Sequence, residues 1–162
     1  MKRLLFFFFI LPQLLLAQLS DLSVQISDIA ASSSNKEMTV QLTAAAAIQD
    51  GLMVQLPADI KMIPLAIEIN QKNPALLNSD QLSGSEDVVS WDLVAEGIAF
   101  IFAPGQLLAG DQLRIRAVLT LLGGEIRAGT AVEIHSIQTS PSGIQTSDEV
   151  ISSANLPLST NE

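Results

Sequence analysis

The sequence predicts an all-β fold, an antiparallel β-sandwich of about seven to nine strands, preceded by a signal peptide. Two observations predict this class. Apolar and polar residues alternate with a period of two through most of the chain, and almost no segment has a helical period. Turn-forming residues separate the alternating segments at intervals of roughly eight to twelve residues. The chain is long enough to bury a single core without disulfide bonds.

The N-terminal segment, residues 1–17, has the features of a secretory signal peptide. Two basic residues precede a mainly apolar run over residues 4–16, and the small residue Ala17 follows it. Pro12 interrupts the run, which is shorter than the roughly 20 apolar residues of a membrane-spanning helix. We expect cleavage after Ala17 and export to the periplasm, the cell surface or the extracellular medium, with an uncleaved anchor as the alternative.

The charge of the chain argues against polyanionic partners. Loss of Lys2 and Arg3 with the signal leaves six basic residues against 17 acidic ones, a net charge of −11. Such a field repels phosphate backbones and anionic lipid surfaces, and no segment concentrates Lys or Arg. We therefore expect neither nucleic acid as a partner nor stable membrane insertion after cleavage. The chain has no cysteine, so the core alone must stabilise the fold.

Eight segments show the alternation that predicts half-buried strands. They are residues 22–26, 38–42, 52–56, 65–69, 89–93, 98–102, 113–121 and 132–134. Residues 71–87 are polar and are predicted to form a long loop. From residue 147 the pattern fades, so we assign residues 18–146 to the sandwich and residues 147–162 to a loosely ordered C-terminal tail. Trp91, Phe100 and Ile115 are predicted to lie between the two layers.

Part of this strand succession resembles a conserved repeat domain of bacterial surface and adhesin proteins. Residues 51–60 are similar to a strand and Leu-Pro turn of that repeat, and residues 63–69 to its next strand. Residues 89–93 then resemble its Trp-containing strand, and residues 109–115 its Gly-led strand. The resemblance spans roughly residues 38–138. It implies an immunoglobulin-like β-sandwich and no catalytic residues.

A second family is similar over a shorter stretch. Residues 128–137, followed by Gly143, resemble the closing strand of the cohesin-like sandwiches found in cellulose-degrading assemblies. That resemblance implies binding of a partner domain and, again, no active site.

His135 is the only histidine, so any Ser-His-Asp triad must include it. It lies in an alternating segment on the face opposite Val132 and Ile134, and we predict a solvent-facing histidine. With a single histidine and no cysteine, the usual ligands of tetrahedral zinc are missing.

Five carboxylates are the remaining candidates for acid–base chemistry, since glycosidases need two carboxyl groups across a cleft. They are Glu86, Asp87, Asp92, Glu96 and Asp111. A chain this rich in acids produces such neighbours by chance, so we assign no catalytic, cofactor-binding or metal-binding residue and expect no enzyme activity. The oxygen-rich residues 78–87 are compatible with a structural Ca²⁺, although EF-hand spacing is absent.

The sequence favours a secreted or cell-envelope structural or adhesion module that acts through protein contacts. A protein partner or self-association through sheet edges is the expected mode, because exposed strand edges accept further strands. The alternative is a ligand-binding module for carbohydrate or for a partner domain. Sugar-binding sandwiches use exposed aromatic platforms, and the mature part has no Tyr, one Trp and two Phe.

Overall fold

The computed structural model describes residues 19–28, 35–79, 84–95, 97–123 and 126–157. Within these ranges the regular structure consists of β-strands, and no helix is long and apolar enough to cross a membrane. The predicted signal peptide lies outside the described residues.

The described residues form ten strands. Their bounds are β1 Leu19–Asp28, β2 Asn35–Ala44, β3 Gly51–Gln55, β4 Ile60–Ile69, β5 Ala75–Asn78, β6 Val88–Val94, β7 Gly97–Ile101, β8 Gln112–Leu121, β9 Ala131–Ser140 and β10 Gly143–Asn155. They build one sheet of four strands, in the order β1-β2-β8-β4, and one of six, in the order β10-β9-β3-β7-β6-β5. Neighbouring strands are antiparallel except β5 and β6, which run parallel.

The two sheets pack face to face over one apolar core, which confirms the predicted β-sandwich. On β2 and β8, alternate residues such as Val40 and Ile115 are fully buried. Phe100 of the six-stranded sheet is also fully buried in the same cluster, and Trp91 is partly buried against it. Each large apolar side chain buried in this way contributes about 1.5–3 kcal/mol relative to an exposed one.

Strand β4 departs from the predicted alternation at a β-bulge. Met62 and Pro64 are buried before the bulge, and Ile67 is buried after it, so the buried phase shifts by one residue. The irregularity in pairing with β8 lies between Pro64 and Ala66. Because an extra residue turns the following side chains to the other face, Leu65 is 50% exposed instead of lying in the core as the sequence predicts.

Two strands lie where the sequence predicts none, which raises the count above the predicted seven to nine. β5 falls within the segment predicted to be a long loop. It has four residues, too few to show a period of two. β10 continues through residues 147–155, which the sequence assigns to a tail, and Leu156 beyond it is 4% exposed. The pairing of β10 with β9 is irregular between Thr146 and Val150, where the alternation also fades.

A second, smaller apolar cluster lies on the other face of the six-stranded sheet. On β3, Leu52 and Val54 belong to the interlayer core, whereas Met53 points to the opposite face. There Met53 packs with apolar residues of β7 and β9, namely Ala99, Ile101 and Ile137. The middle of this sheet is therefore buried on both faces.

Candidate functional site

An open groove lies beside β4, where β3 ends and β4 begins. The turn after β3 and the first residues of β4 form one wall, and the end of β6 with the start of β7 forms the other. The groove has a volume of about 590 Å³ and is lined by residues 54–58, 60–62, 93–95, 97 and 98. No sequence pattern predicts this groove, which is the candidate functional site.

The groove has a mixed lining of polar and apolar groups. Its buried lining includes Val54 and Ile98 of the six-stranded sheet and Met62 of β4. Leu93 continues the alternation of Val89 toward the core but is 66% exposed. Val89, earlier on the same face of β6, is fully buried, so the inner face of this strand is uncovered only toward its end, at Leu93.

Other exposed apolar side chains lie on the same side of the sandwich. Ile63 and Leu65 of β4 are 59% and 50% exposed, and Leu77 of β5 is 51% exposed. With Leu93, these account for four of the seven large apolar side chains that are exposed among the described residues. Of the remaining three, Leu122 follows β8 beside the start of β4, and Leu108 and Val150 lie elsewhere. Ile63 and Leu77 point to opposite outer faces of the sandwich, so the exposed side chains follow one edge of the fold and do not form a single patch.

Strand β4 is an open edge whose pairing capacity is limited. It is the last strand of the four-stranded sheet, so one side of its backbone has no neighbouring strand in the described fold. Pro64 carries no backbone N–H, and the bulge that follows it bends the strand. The regular part that can accept another strand beside the groove is therefore residues 60–63.

Lys61 is the only charged side chain among the described residues that line the groove. It lies between Ile60 and Met62 and is exposed. In a chain with a formal net charge of −9, a lysine at the groove is a local exception. It favours an occupant that combines apolar side chains with a carboxylate.

The candidate carboxylates take part in local structure. Asp92 Oδ1 accepts a hydrogen bond of 2.8 Å from the backbone N–H of Leu93. Asp111, which precedes β8 in the other sheet, accepts one from the backbone N–H of Leu108 at 2.7 Å. Glu86 and Asp87 are exposed in the turn before β6, and Glu96 lies outside the described residues. The structure thus places Asp92 and Asp111 in different layers, each bonded to nearby backbone.

His135 lies on the predicted face of β9, but the prediction that it faces solvent is wrong. It is 5% exposed, because this face of the six-stranded sheet carries the second apolar cluster. Its Nδ1 lies 3.0 Å from the carbonyl oxygen of Ser147. Its Nε2 lies 3.7 Å from Oε2 of Glu133. The period of two correctly predicts on which face of β9 His135 lies, but it does not predict that other residues cover this face.

The aromatic residues do not form a sugar platform in the described part of the chain. Phe100 and Phe102 are fully buried, and Trp91 is partly buried against the core. Carbohydrate stacking needs an exposed aromatic face, and the groove is lined by aliphatic side chains instead.

No protein-family model matches the chain, and no curated protein sequence is significantly similar to it. Within the described ranges, no three side chains drawn from His, Cys, Asp and Glu lie close enough together to hold a metal ion. The groove beside β4 and the buried His135 are therefore the two features of the described residues that bear on function.

Proposed function

We propose that the chain is a secreted or cell-envelope structural or adhesion module that acts through protein–protein contacts and has no catalytic role. The observation that carries this proposal is the groove beside the open edge of β4, in which the apolar side chain of Leu93 is exposed. Exposed apolar groups in contiguous patches are costly in water and are retained where a partner covers them. Export is supported by the signal-like sequence of residues 1–17.

The partner in this proposal supplies an extended segment. Its backbone pairs with residues 60–63 of β4, and one apolar side chain enters the groove against Leu93 and Met62. A neighbouring acidic residue of the segment lies close to Lys61. The main-chain hydrogen bonds give affinity, and the groove and Lys61 give specificity, because they select the side chains on one face of the added strand.

Self-association through this edge can be tested without a known partner, since two copies of β4 offer the strand pairing and the apolar contacts, although not the acidic side chain. The mature protein is run on size-exclusion chromatography with light scattering over a wide concentration range. We expect a concentration-dependent dimer. Leu93→Lys and Ile63→Lys are expected to raise the dissociation constant by on the order of tenfold or more, since a charge would be buried in the contact.

Two exposed apolar side chains elsewhere provide controls. Leu108 and Val150 are 51% and 43% exposed and do not line the groove. Leu108→Lys and Val150→Lys should leave the dimerisation unchanged. A protein that stays monomeric at the highest concentration, or control variants that disrupt the dimer as strongly as Leu93→Lys, would overturn self-association through β4.

A further inference from the structure

Three polar side chains meet on the outer face of the six-stranded sheet. Gln55 of β3 lies directly opposite Glu133 of β9 in the strand pairing. His135 lies two residues further along β9, on the same face, opposite Met53. Side chains of directly paired residues have Cβ atoms about 5 Å apart, and diagonal neighbours remain within reach of long side chains. The groups of Gln55, Glu133 and His135 can therefore surround one point.

Two of these side chains each have a buried atom without a hydrogen-bond partner. They are Oε1 of Gln55 and Nε2 of His135. The His135 side chain is 7% exposed. Leaving a buried polar atom unsatisfied costs about 1–3 kcal/mol, so two such atoms on the same face of neighbouring strands point to a bound group.

The hydrogen bond on the other ring nitrogen fixes the chemistry of Nε2. A carbonyl oxygen only accepts, so Nδ1 of His135 must donate its proton to Ser147 O at 3.0 Å. In the neutral imidazole, Nε2 then carries a lone pair. Gln55 Oε1 and the Glu133 carboxylate are also acceptors. The Gln55 amide can donate an N–H to one of these acceptors, and a cation bound by Nε2 and the carboxylate satisfies the others.

The distance between Nε2 of His135 and the Glu133 carboxylate is compatible with a metal ion bound by both. Nε2 lies 3.7 Å from Oε2 of Glu133, which is longer than a hydrogen bond. Two tetrahedral ligand atoms at about 2.1 Å from one metal ion are about 3.4 Å apart. The two side chains therefore need to approach each other by only a few tenths of an ångström to bind the same ion. The bond from Nδ1 to a backbone carbonyl is also the outer contact that orients a metal-binding histidine.

We propose that Gln55, Glu133 and His135 form a binding site for a divalent transition-metal ion. Imidazole nitrogen suits Zn²⁺, Ni²⁺ and Cu²⁺, and the two oxygen ligands and water complete the coordination. The Glu133 side chain is 41% exposed and gives the ion and water access from solvent. The net charge of −11 on the mature chain attracts cations to the surface. Gln55 also lines the groove beside β4, whereas Glu133 and His135 do not, so the two sites are distinguished at Glu133 and His135.

Titration calorimetry of the purified protein with ZnCl₂ tests this proposal. We expect saturable binding of one ion, weakened at least tenfold in His135→Gln and in Glu133→Gln. Glu149→Gln, which removes an exposed carboxylate on the adjacent strand β10, should bind as the wild type does. Absence of saturable binding, or equal binding by His135→Gln, would overturn the site.

A second measurement separates loss of the site from loss of the fold. The ¹⁵N chemical shifts of His135 report directly on which ring nitrogen meets the ion. We expect Zn²⁺ to move the Nε2 resonance while Nδ1 remains protonated. An unchanged Nε2 resonance at saturating zinc would contradict the proposal even if calorimetry detected an ion bound elsewhere. Neither outcome bears on dimerisation through β4.

Discussion

Asn70, in the turn after β4, donates a hydrogen bond from Nδ2 to Oδ1 of Asp111 at 2.6 Å, although 41 positions separate the two residues. Oδ1 of Asn70 also accepts a bond of 2.9 Å from the backbone N–H of Gln112. The amide therefore ties the end of β4 to the start of β8. Asn70 has a φ of +50°, a conformation that Asn tolerates better than most residues.

Asn70→Ala is expected to destabilise the fold by about 1–3 kcal/mol, because it removes two side-chain hydrogen bonds. It also places alanine, which tolerates a positive φ less well than asparagine, in this turn. Asn70→Gly loses the same bonds but tolerates the backbone conformation, so its loss should be smaller. Urea unfolding followed by the fluorescence of Trp91, the only tryptophan, measures both. Equal losses would show that backbone strain contributes nothing at this turn.

Gln106 joins two loops from inside the protein. It is 8% exposed, its Oε1 accepts from the backbone N–H of Ala103 at 2.8 Å, and its Nε2 donates to the carbonyl oxygens of Glu86 and Val88. Gln106→Ala should lower the free energy of unfolding by about 2–4 kcal/mol, since it leaves partly buried backbone groups unpaired. Gln145→Ala, on the exposed face of β10, should change it by less than about 0.5 kcal/mol. A loss at Gln106 as small as at Gln145 would mean that water replaces the amide.

Gly97 begins β7 where the backbone of β3 passes very close. A Cβ at this position would collide with the carbonyl oxygen of Val54, which is backbone and cannot move aside alone. Gly97→Ala is therefore expected to cost at least about 1–3 kcal/mol through forced displacement of the paired strands. Thermal unfolding should show a lowered midpoint. Gly123→Ala is the control, since its Cβ would meet only the Asp59 carboxylate at 4.0 Å. A neutral Gly97→Ala would mean that β3 and β7 can move apart.

Arg116 and Glu37 form an ion pair of 2.7 Å across β8 and β2. Both side chains are well exposed, at 48% and 31%, so solvent screening reduces the interaction. Arg116→Gln should therefore lower the free energy of unfolding by only about 0.2–1 kcal/mol. Ile115→Ala, at the adjacent buried position, should cost about 2–5 kcal/mol. Urea unfolding of both variants at low and high salt checks the ranking. A salt-independent loss at Arg116 larger than that at Ile115 would contradict it.

The alternation of apolar and polar residues determined the layered architecture. On β2 and β8 every second residue is buried, as the pattern predicts, because a strand in a two-layer sandwich presents one face to the core. The same rule placed Phe100 in the interior. It also gave the face of β9 on which His135 lies, since that depends only on whether a residue is odd or even along the strand.

Tertiary structure decided the features that depend on how strands are paired and counted. The bulge after Pro64 reversed Leu65, because an inserted residue changes the phase of a strand. The inner face of β6 is buried at Val89 but open at Leu93, and His135 is buried beside the second apolar cluster; the period of two predicts neither. The sequence by itself determined which side chains share a face of a strand. Which faces are covered, and by what, follows from contacts between residues far apart in the chain, and local periodicity carries no information about them.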